Sequence, residues 1–165
     1  MIDQNTDLIR IAKRDHNKKR SYLVMNRLQG KHIPAKPDDA LGMFAQLAEC
    51  LEGEYDGEKT LVIGFAETAT AIGAAVAVRL GAYYIQTTRE DVAADYLYFS
   101  EEHSHATQQR LVKQDLDQIM PKINKVVFAE DEITTGHTIQ NLIQVLKQEY
   151  PGQAEYAAAS VLNGM

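Results

Sequence analysis

Residues Thr60 to Thr88, TLVIGFAETATAIGAAVAVRLGAYYIQTT, read as strand, tight turn, helix and strand. TLVIGFA is a continuous apolar run, short enough for a strand buried on both faces. ETATAIGAAVAVRLG is an Ala-rich helix that stops at Gly81, and AYYIQTT is a second strand. Strand, helix and strand in roughly thirty residues make a βαβ unit, which implies a parallel sheet with right-handed crossovers. Ligands in such sheets bind at the carboxyl ends of the strands.

Further along the chain, KVVFAE supplies a third buried strand, and Thr138 to Glu149 a helix with Ile139, Leu142, Ile143 and Leu146 on one side, stopped by Pro151 and Gly152. AEYAAASVL is the last strand. Upstream, ALGMFAQLAECLEG follows Pro37 and the acidic pair Asp38 and Asp39 and runs to Gly53, a helix expected to cover one face of the sheet. Leu8, Ile9, Ile11 and Ala12 suggest a short helix, followed by the basic residues Lys18, Lys19 and Arg20 and by the strand-like SYLVMNR. From Glu90 to about Val112 polar residues mix with Tyr96, Tyr98 and Phe99, and EEHSHATQQR reads as a hairpin or mobile loop of the kind that serves as a lid. A short helix around Leu116 to Met120 ends at Pro121. The expected fold is α/β: a doubly wound, mainly parallel sheet of about five strands with a mobile hairpin or loop, in a single domain over residues 1–165 whose first 36 residues form a helix and strand ahead of the core.

A length of 165 residues with 45% hydrophobic composition suits one such domain. The net charge of -6 argues against broad binding to nucleic acid or acidic lipid, which needs excess Lys and Arg, so any phosphate site must be local. The lone Cys50 excludes an internal disulfide framework and a Cys-based zinc site, and its helical setting predicts a core position. No apolar run approaches the ~20 residues that cross a bilayer, and MIDQNTDLIRIAKRD has no apolar stretch ahead of its charges, so a cytoplasmic location is expected.

The chemistry concentrates in Val126 to Thr138, VVFAEDEITTGHT. An apolar strand delivers Glu130 and Asp131 to the carboxyl edge of the sheet, and the chain turns through Ile133, Thr134, Thr135, Gly136 and His137 into a helix. The helix amino end offers unpaired N–H groups and a positive dipole, the hydroxyls of Thr134, Thr135 and Thr138 add donors, and Gly136 permits close approach of the backbone. These features make a phosphate cradle. The adjacent carboxylates repel phosphate but accept hydrogen bonds from vicinal hydroxyls or hold a divalent cation through water. A sugar phosphate satisfies both halves.

This segment resembles the fingerprint of type I phosphoribosyltransferases: an apolar strand, two acidic residues, two more residues and a Thr-Thr-Gly loop. The resemblance implies that Glu130 and Asp131 meet the ribose hydroxyls and, indirectly, Mg2+, and that Thr134, Thr135, Gly136, His137 and Thr138 bind the 5-phosphate. Glu132 departs from the commoner pattern, which has an apolar residue there; a third carboxylate should favour a bound cation or a raised pKa on one member. GFAETATAIG matches the family's pyrophosphate loop, so Ala66, Glu67, Thr68 and Ala69 would present backbone N–H groups; the alternative is a simple helix cap at Thr68. Arg89 stands where the family carries a basic residue for the pyrophosphate, or else forms a surface ion pair with Glu90 or Asp91. His103 and His105 would face one side of an extended strand and act as acid or base, or simply face solvent. EEHSHATQQR would be the loop that closes over the reaction centre and excludes water.

RSYLVMNRLQGKHIP, with Arg20, Arg27, Lys31 and His32, extends the likeness to an orotate phosphoribosyltransferase-like bacterial subgroup found with tellurium-resistance and stress-response genes. In it this segment would form a hood over the acceptor base, with Lys31 and His32 in contact; a solvated basic face is the alternative. Members of that subgroup often continue into a further C-terminal domain. The implied activity is Mg2+-dependent transfer of ribose 5-phosphate from phosphoribosyl pyrophosphate to a nitrogenous base, with inversion and release of pyrophosphate, by a homodimer. A non-catalytic sensor of phosphoribosyl pyrophosphate and a nucleotide- or nucleoside-cleaving enzyme remain alternatives on the same site.

Overall fold

A computed structural model of the chain describes residues 8–13, 21–30, 33–55, 57–99, 109–152 and 154–164. Its residues gather into two units, Met1–Met43 and Phe44–Met165. In the first, β1 (Ile9–Lys13) and β2 (Tyr22–Asn26) pair antiparallel, with Ile11 opposite Val24 and Lys13 opposite Tyr22. The segment read as a short helix is therefore a strand: Ile9 and Ile11 alternate with Arg10 and Ala12, and two β-branched residues at period two favour extended backbone. Asn26 then turns the chain, its side chain accepting from the Leu28 N–H at 2.8 Å while the Gln29 side chain returns to the Asn26 N–H at 3.3 Å. This capping box closes a single 3-10 turn, Arg27–Gln29, which Gly30 ends at φ 69°.

Helix α1 (Pro37–Glu49) starts on proline with Asp38 and Asp39 in its first turn, where the helix dipole favours them. Its buried stripe runs through Met43, Phe44 and Ala48. Cys50 lies just beyond, exposed, and not in the core as expected. Two residues past Ala48 it has rotated off the buried stripe.

The second unit is built on four parallel strands. β3 (Thr60–Gly64) leads through α2 (Thr70–Leu80) to β4 (Tyr83–Gln86). A hairpin follows, β5 (Tyr96–Phe99) and β6 (Gln109–Val112), and then α3 (Lys113–Ile119) with a 3-10 turn, Met120–Lys122, that takes in Pro121. β7 (Lys125–Ile133), α4 (His137–Glu149) and β8 (Glu155–Asn163) complete the chain. The strand order is β4-β3-β7-β8. Among the described residues the parallel sheet has four strands, in keeping with the expected α/β fold, and SYLVMNR pairs with β1.

This order positions the site. From β3 the chain steps outward to β4, and from β7 it steps outward the other way to β8. Right-handed crossovers then put α2 and α4 on opposite faces, and the switch point falls between β3 and β7, where Gly64 is in register with Ala129. Leu61, Val62, Ile63, Val126, Val127 and Phe128 are fully enclosed between the two layers. An aromatic row crosses the sheet at this level: Phe99 meets Phe65 edge-on at 6.1 Å, Phe65 meets Phe128 at 6.2 Å, and Phe128 stacks on Tyr156. Among the described residues no helix is long and apolar enough to cross a membrane.

Candidate active site at the switch point

Two βα loops emerge side by side from the carboxyl ends of β3 and β7. β7 outlasts β3, continuing from Ala129 to Ile133, because β8 keeps pairing with it: Glu130 with Ser160, Glu132 with Leu162 and Ile133 with Asn163. The acidic run is therefore still strand, and strand side chains alternate. Glu130 and Glu132 line a pocket of about 60 Å3 together with Ile133, Thr134, Thr135, Gly136, His137, Thr138 and Ile139. Asp131 points to the other side of β7 and is 4% exposed. The sequence suggests Glu130 and Asp131 as the working pair; the strand instead puts Glu130 beside Glu132 on the pocket. Glu130 also accepts the Asp131 N–H at 3.1 Å, which fixes its carboxylate at the pocket wall.

Gly136 is the N-cap of α4 at φ 72°, a left-handed conformation that a side chain would strain. Its carbonyl accepts the first helical N–H, from Gln140 at 3.0 Å, and Thr135 Oγ1 accepts from the His137 N–H at 3.4 Å. No side chain caps the helix through its N-cap residue. The amino end of α4 opens on the pocket, a local setting for an anion.

Among the described residues no three of His, Cys, Asp and Glu gather to hold a metal. Glu130 and Glu132 on one wall suit an ion that Mg2+ chemistry would share with a bound phosphate, since Mg2+ takes one or two carboxylates and fills its shell with water and phosphate oxygens.

The second loop, Phe65 to Ala69, is tied down from three directions. The Phe65 N–H reaches across to the Ala129 carbonyl at 3.2 Å, and the Ala69 N–H closes on the Phe65 carbonyl at 2.9 Å. The Ala66 N–H donates to Thr87 Oγ1 at 2.8 Å, the Thr87 hydroxyl donates to Gln109 Oε1, and Gln109 Nε2 donates to the Ala66 carbonyl at 3.0 Å. The Glu67 carbonyl accepts from the Thr70 hydroxyl at 3.1 Å, and the Thr70 carbonyl from the Tyr84 hydroxyl at 2.8 Å. The Ala66–Glu67 peptide is cis. Of the four amides expected to face a pyrophosphate, those of Ala66 and Ala69 are thus engaged within the protein, which leaves Glu67 and Thr68, both exposed. The cap of α2 is Ala69, without a side-chain hydrogen bond, so Thr68 does not cap it.

Arg89 lies exposed after β4, its carbonyl accepting from Arg110 Nη2 at 3.0 Å. Asp91 pairs with Arg110 Nη1 at 2.6 Å. Arg110 also stacks over Tyr96, 4.5 Å from the ring centre, while Tyr96 Oη accepts from the Val92 N–H at 2.6 Å. The start of β6 therefore organises both loops that follow β3 and β4, a role invisible in EEHSHATQQR read as a polar run. Lys31, His32, His103 and His105 lie outside the described residues. A wider pocket of about 320 Å3, lined by Met120, Pro121, Ile123, Glu149 and Tyr150, sits at the amino ends of β7 and β8, away from both loops.

A family model described as phosphoribosyl transferase matches residues 8–165. Curated proteins yield no match. Among solved structures the chain is similar to the APRTase of Giardia lamblia complexed with 9-deazaadenine, at 15% identity over 96% of this chain and 94% of that one, with a TM-score of 0.67. It is similar to the adenine phosphoribosyltransferase of Rhodothermus marinus at 16% identity over 96% and 83% of the two chains, TM-score 0.63. That of Thermoanaerobacter pseudethanolicus matches at 16% identity over 96% of each, TM-score 0.62. At these identities the solved structures speak for the fold. With the sequence family spanning residues 8–165 and the fold agreeing, the chain belongs to the phosphoribosyltransferase family of pentosyl-transferring enzymes.

Proposed function

We propose that the chain transfers the ribose 5-phosphate group of phosphoribosyl pyrophosphate to a nitrogenous base, with Mg2+ at the site. The observation that carries this reading is the pairing of two anion-suited loops at one switch point, Phe65–Ala69 after β3 and Thr134–His137 after β7, on strands in register. A single phosphate would need one such loop. A sugar carrying phosphate at one end and pyrophosphate at the other uses both, with the carboxylate of Glu130 beside the ribose hydroxyls between them.

In this reading Thr134, Thr135, Gly136, His137 and Thr138 bind the 5-phosphate, and the Ala66–Ala69 loop, through the Thr68 amide, binds the pyrophosphate, joined by Arg89. Mg2+, shared between the donor and Glu130 or Glu132, would neutralise charge on a highly anionic substrate that this acidic chain cannot balance alone. Asp131, buried on the other side of the strand end, supports the site from behind β7. The anomeric C–O bond to pyrophosphate breaks with its electron pair leaving on oxygen, a C–N bond forms from the base, and the base nitrogen gives up its proton. The protein positions the partners and stabilises charge.

The finer placement in the orotate phosphoribosyltransferase-like subgroup found with tellurium-resistance genes rests on sequence resemblance, whereas the solved structures similar in fold include adenine phosphoribosyltransferases. Adenine therefore heads the panel of bases. The test is Mg2+-dependent pyrophosphate release from phosphoribosyl pyrophosphate with adenine, other purines, orotate and other pyrimidines, and nicotinate. Release with one base supports transfer; donor binding with no release for any base points to a sensor.

A further inference from the structure

We propose that Gln109 is a positioning residue for pyrophosphate: with Thr87 it fixes both backbone polar groups of Ala66, and so holds the loop whose Thr68 amide faces the ligand. The inference rests on the donor-binding reading above and names a residue which that reading does not use. Gln109 and Thr87 are 2% and 0% exposed. Two polar side chains buried so completely need partners, and here they find them in each other and in the N–H and carbonyl of one residue, Ala66. The hydrogen bonds run in one direction around a closed ring: Ala66 N–H to Thr87 Oγ1, Thr87 hydroxyl to Gln109 Oε1, Gln109 Nε2 to the Ala66 carbonyl. Only one orientation of the Gln109 amide completes it. Turned over, its oxygen would face the Ala66 carbonyl oxygen across the 3.0 Å now bridged by a proton.

The consequence is electrostatic. An anion site made of backbone needs its carbonyls turned away as much as its amides turned inward. Gln109 takes the Ala66 carbonyl and Thr70 takes the Glu67 carbonyl, so the negative ends of both peptides are engaged on the protein side. With the Glu67 carbonyl taken by Thr70, the Thr68 amide of the same peptide points the other way, at the amino end of α2. Thr87 is itself anchored to the strand end that bears the loop, its N–H donating to the Gly64 carbonyl at 2.9 Å. The ring thus ties three chain segments, 64–66, 87 and 109, to one geometry.

Calorimetric titration of the full chain, with Mg2+, tests this with three ligands: inorganic pyrophosphate, phosphoribosyl pyrophosphate and ribose 5-phosphate. Ribose 5-phosphate engages the Thr134–Thr138 loop and serves as internal control. Gln109→Leu and Thr87→Val should each weaken pyrophosphate and phosphoribosyl pyrophosphate roughly tenfold, the worth of one hydrogen bond, and leave ribose 5-phosphate within about twofold. Thr87→Ser keeps the hydroxyl and should bind as the parent does. Gln109→Glu keeps the acceptor but loses the donor while ionised; its deficit relative to the parent should shrink as pH falls and the carboxylic acid regains an O–H. Should Gln109→Leu fail to fold, Gln109→Glu and Thr87→Val read out the same ring. Unchanged pyrophosphate affinity in these variants, or equal losses for all three ligands, would overturn the inference. A parent chain that binds ribose 5-phosphate but no pyrophosphate overturns it as well, and one that binds none of the three overturns the donor reading beneath it.

Discussion

Gly64 and Gly73 stand back to back where β3 meets α2: a Cβ on Gly73 would fall 2.9 Å from the Gly64 Cα, and one on Gly64 would fall 2.9 Å from the Ala69 carbonyl oxygen. Both obstacles are backbone, which cannot swing aside as a side chain can. Gly73→Ala should therefore lower stability by about 1–3 kcal/mol despite the better helix propensity of alanine. Because the displaced backbone carries the Phe65–Ala69 loop, pyrophosphate affinity should fall with it. Urea denaturation and titration measure the two effects, and an alanine variant as stable as the parent would contradict the close approach.

Tyr84 seals the same junction, its hydroxyl donating to the Thr70 carbonyl at 2.8 Å. Tyr84→Phe should cost about 1 kcal/mol at neutral pH. Burial also pushes the Tyr84 hydroxyl up to about 12, against an ordinary tyrosine value near 10. The folded state then binds the proton more tightly than the unfolded chain, so this contribution is intact below pH 10 and lost as pH rises from 10 towards 12. Burial raises Tyr156 in the same direction. Stability measured from pH 9 to 12 should fall less steeply for Tyr84→Phe than for the parent, and parallel curves would refute the assignment.

Alternation along β7 separates two carboxylates that are adjacent in sequence. Glu130 lines the pocket with Thr134 to Thr138, and Asp131 is buried behind the strand. Glu130→Gln should weaken phosphoribosyl pyrophosphate about tenfold through loss of charged acceptors. Asp131→Asn should act chiefly on turnover and on stability, with donor affinity within about threefold of the parent. Equal losses of donor affinity would mean that both carboxylates share the ribose.

Gly136 at φ 72° predicts intolerance of a branched side chain at the start of α4. Gly136→Val should destabilise the chain by roughly 1–2 kcal/mol, the cost of left-handed backbone at a residue bearing Cβ, and weaken ribose 5-phosphate binding. Thermal unfolding with and without ribose 5-phosphate separates the two losses.

The βαβ unit from Thr60 to Thr88 and the strand, loop and helix start after β7 were legible in the sequence because both rest on local rules: apolar runs, a tight turn and a helix start. The Ile9–Lys13 strand was not, since the four apolar residues in Leu8 to Ala12 fit either period and only pairing with β2 decides. Nor was the length of β7. Residues Glu130 to Glu132 look like the end of a strand until β8 extends the ladder past them, and that extension puts Glu132 beside Glu130. Gln109 and Thr87 were hidden for a different reason. Each is an ordinary polar residue in a polar stretch, and their roles arise from hydrogen bonds spanning 21 to 43 residues of sequence.

The most direct measurement is titration of phosphoribosyl pyrophosphate into the chain in the presence of Mg2+, repeated with Glu130→Gln and Gly136→Val. Saturable binding by the parent, weakened about tenfold in each variant, is the expected result. Absence of binding by the parent, or binding that neither variant changes, would contradict a donor site between β3 and β7.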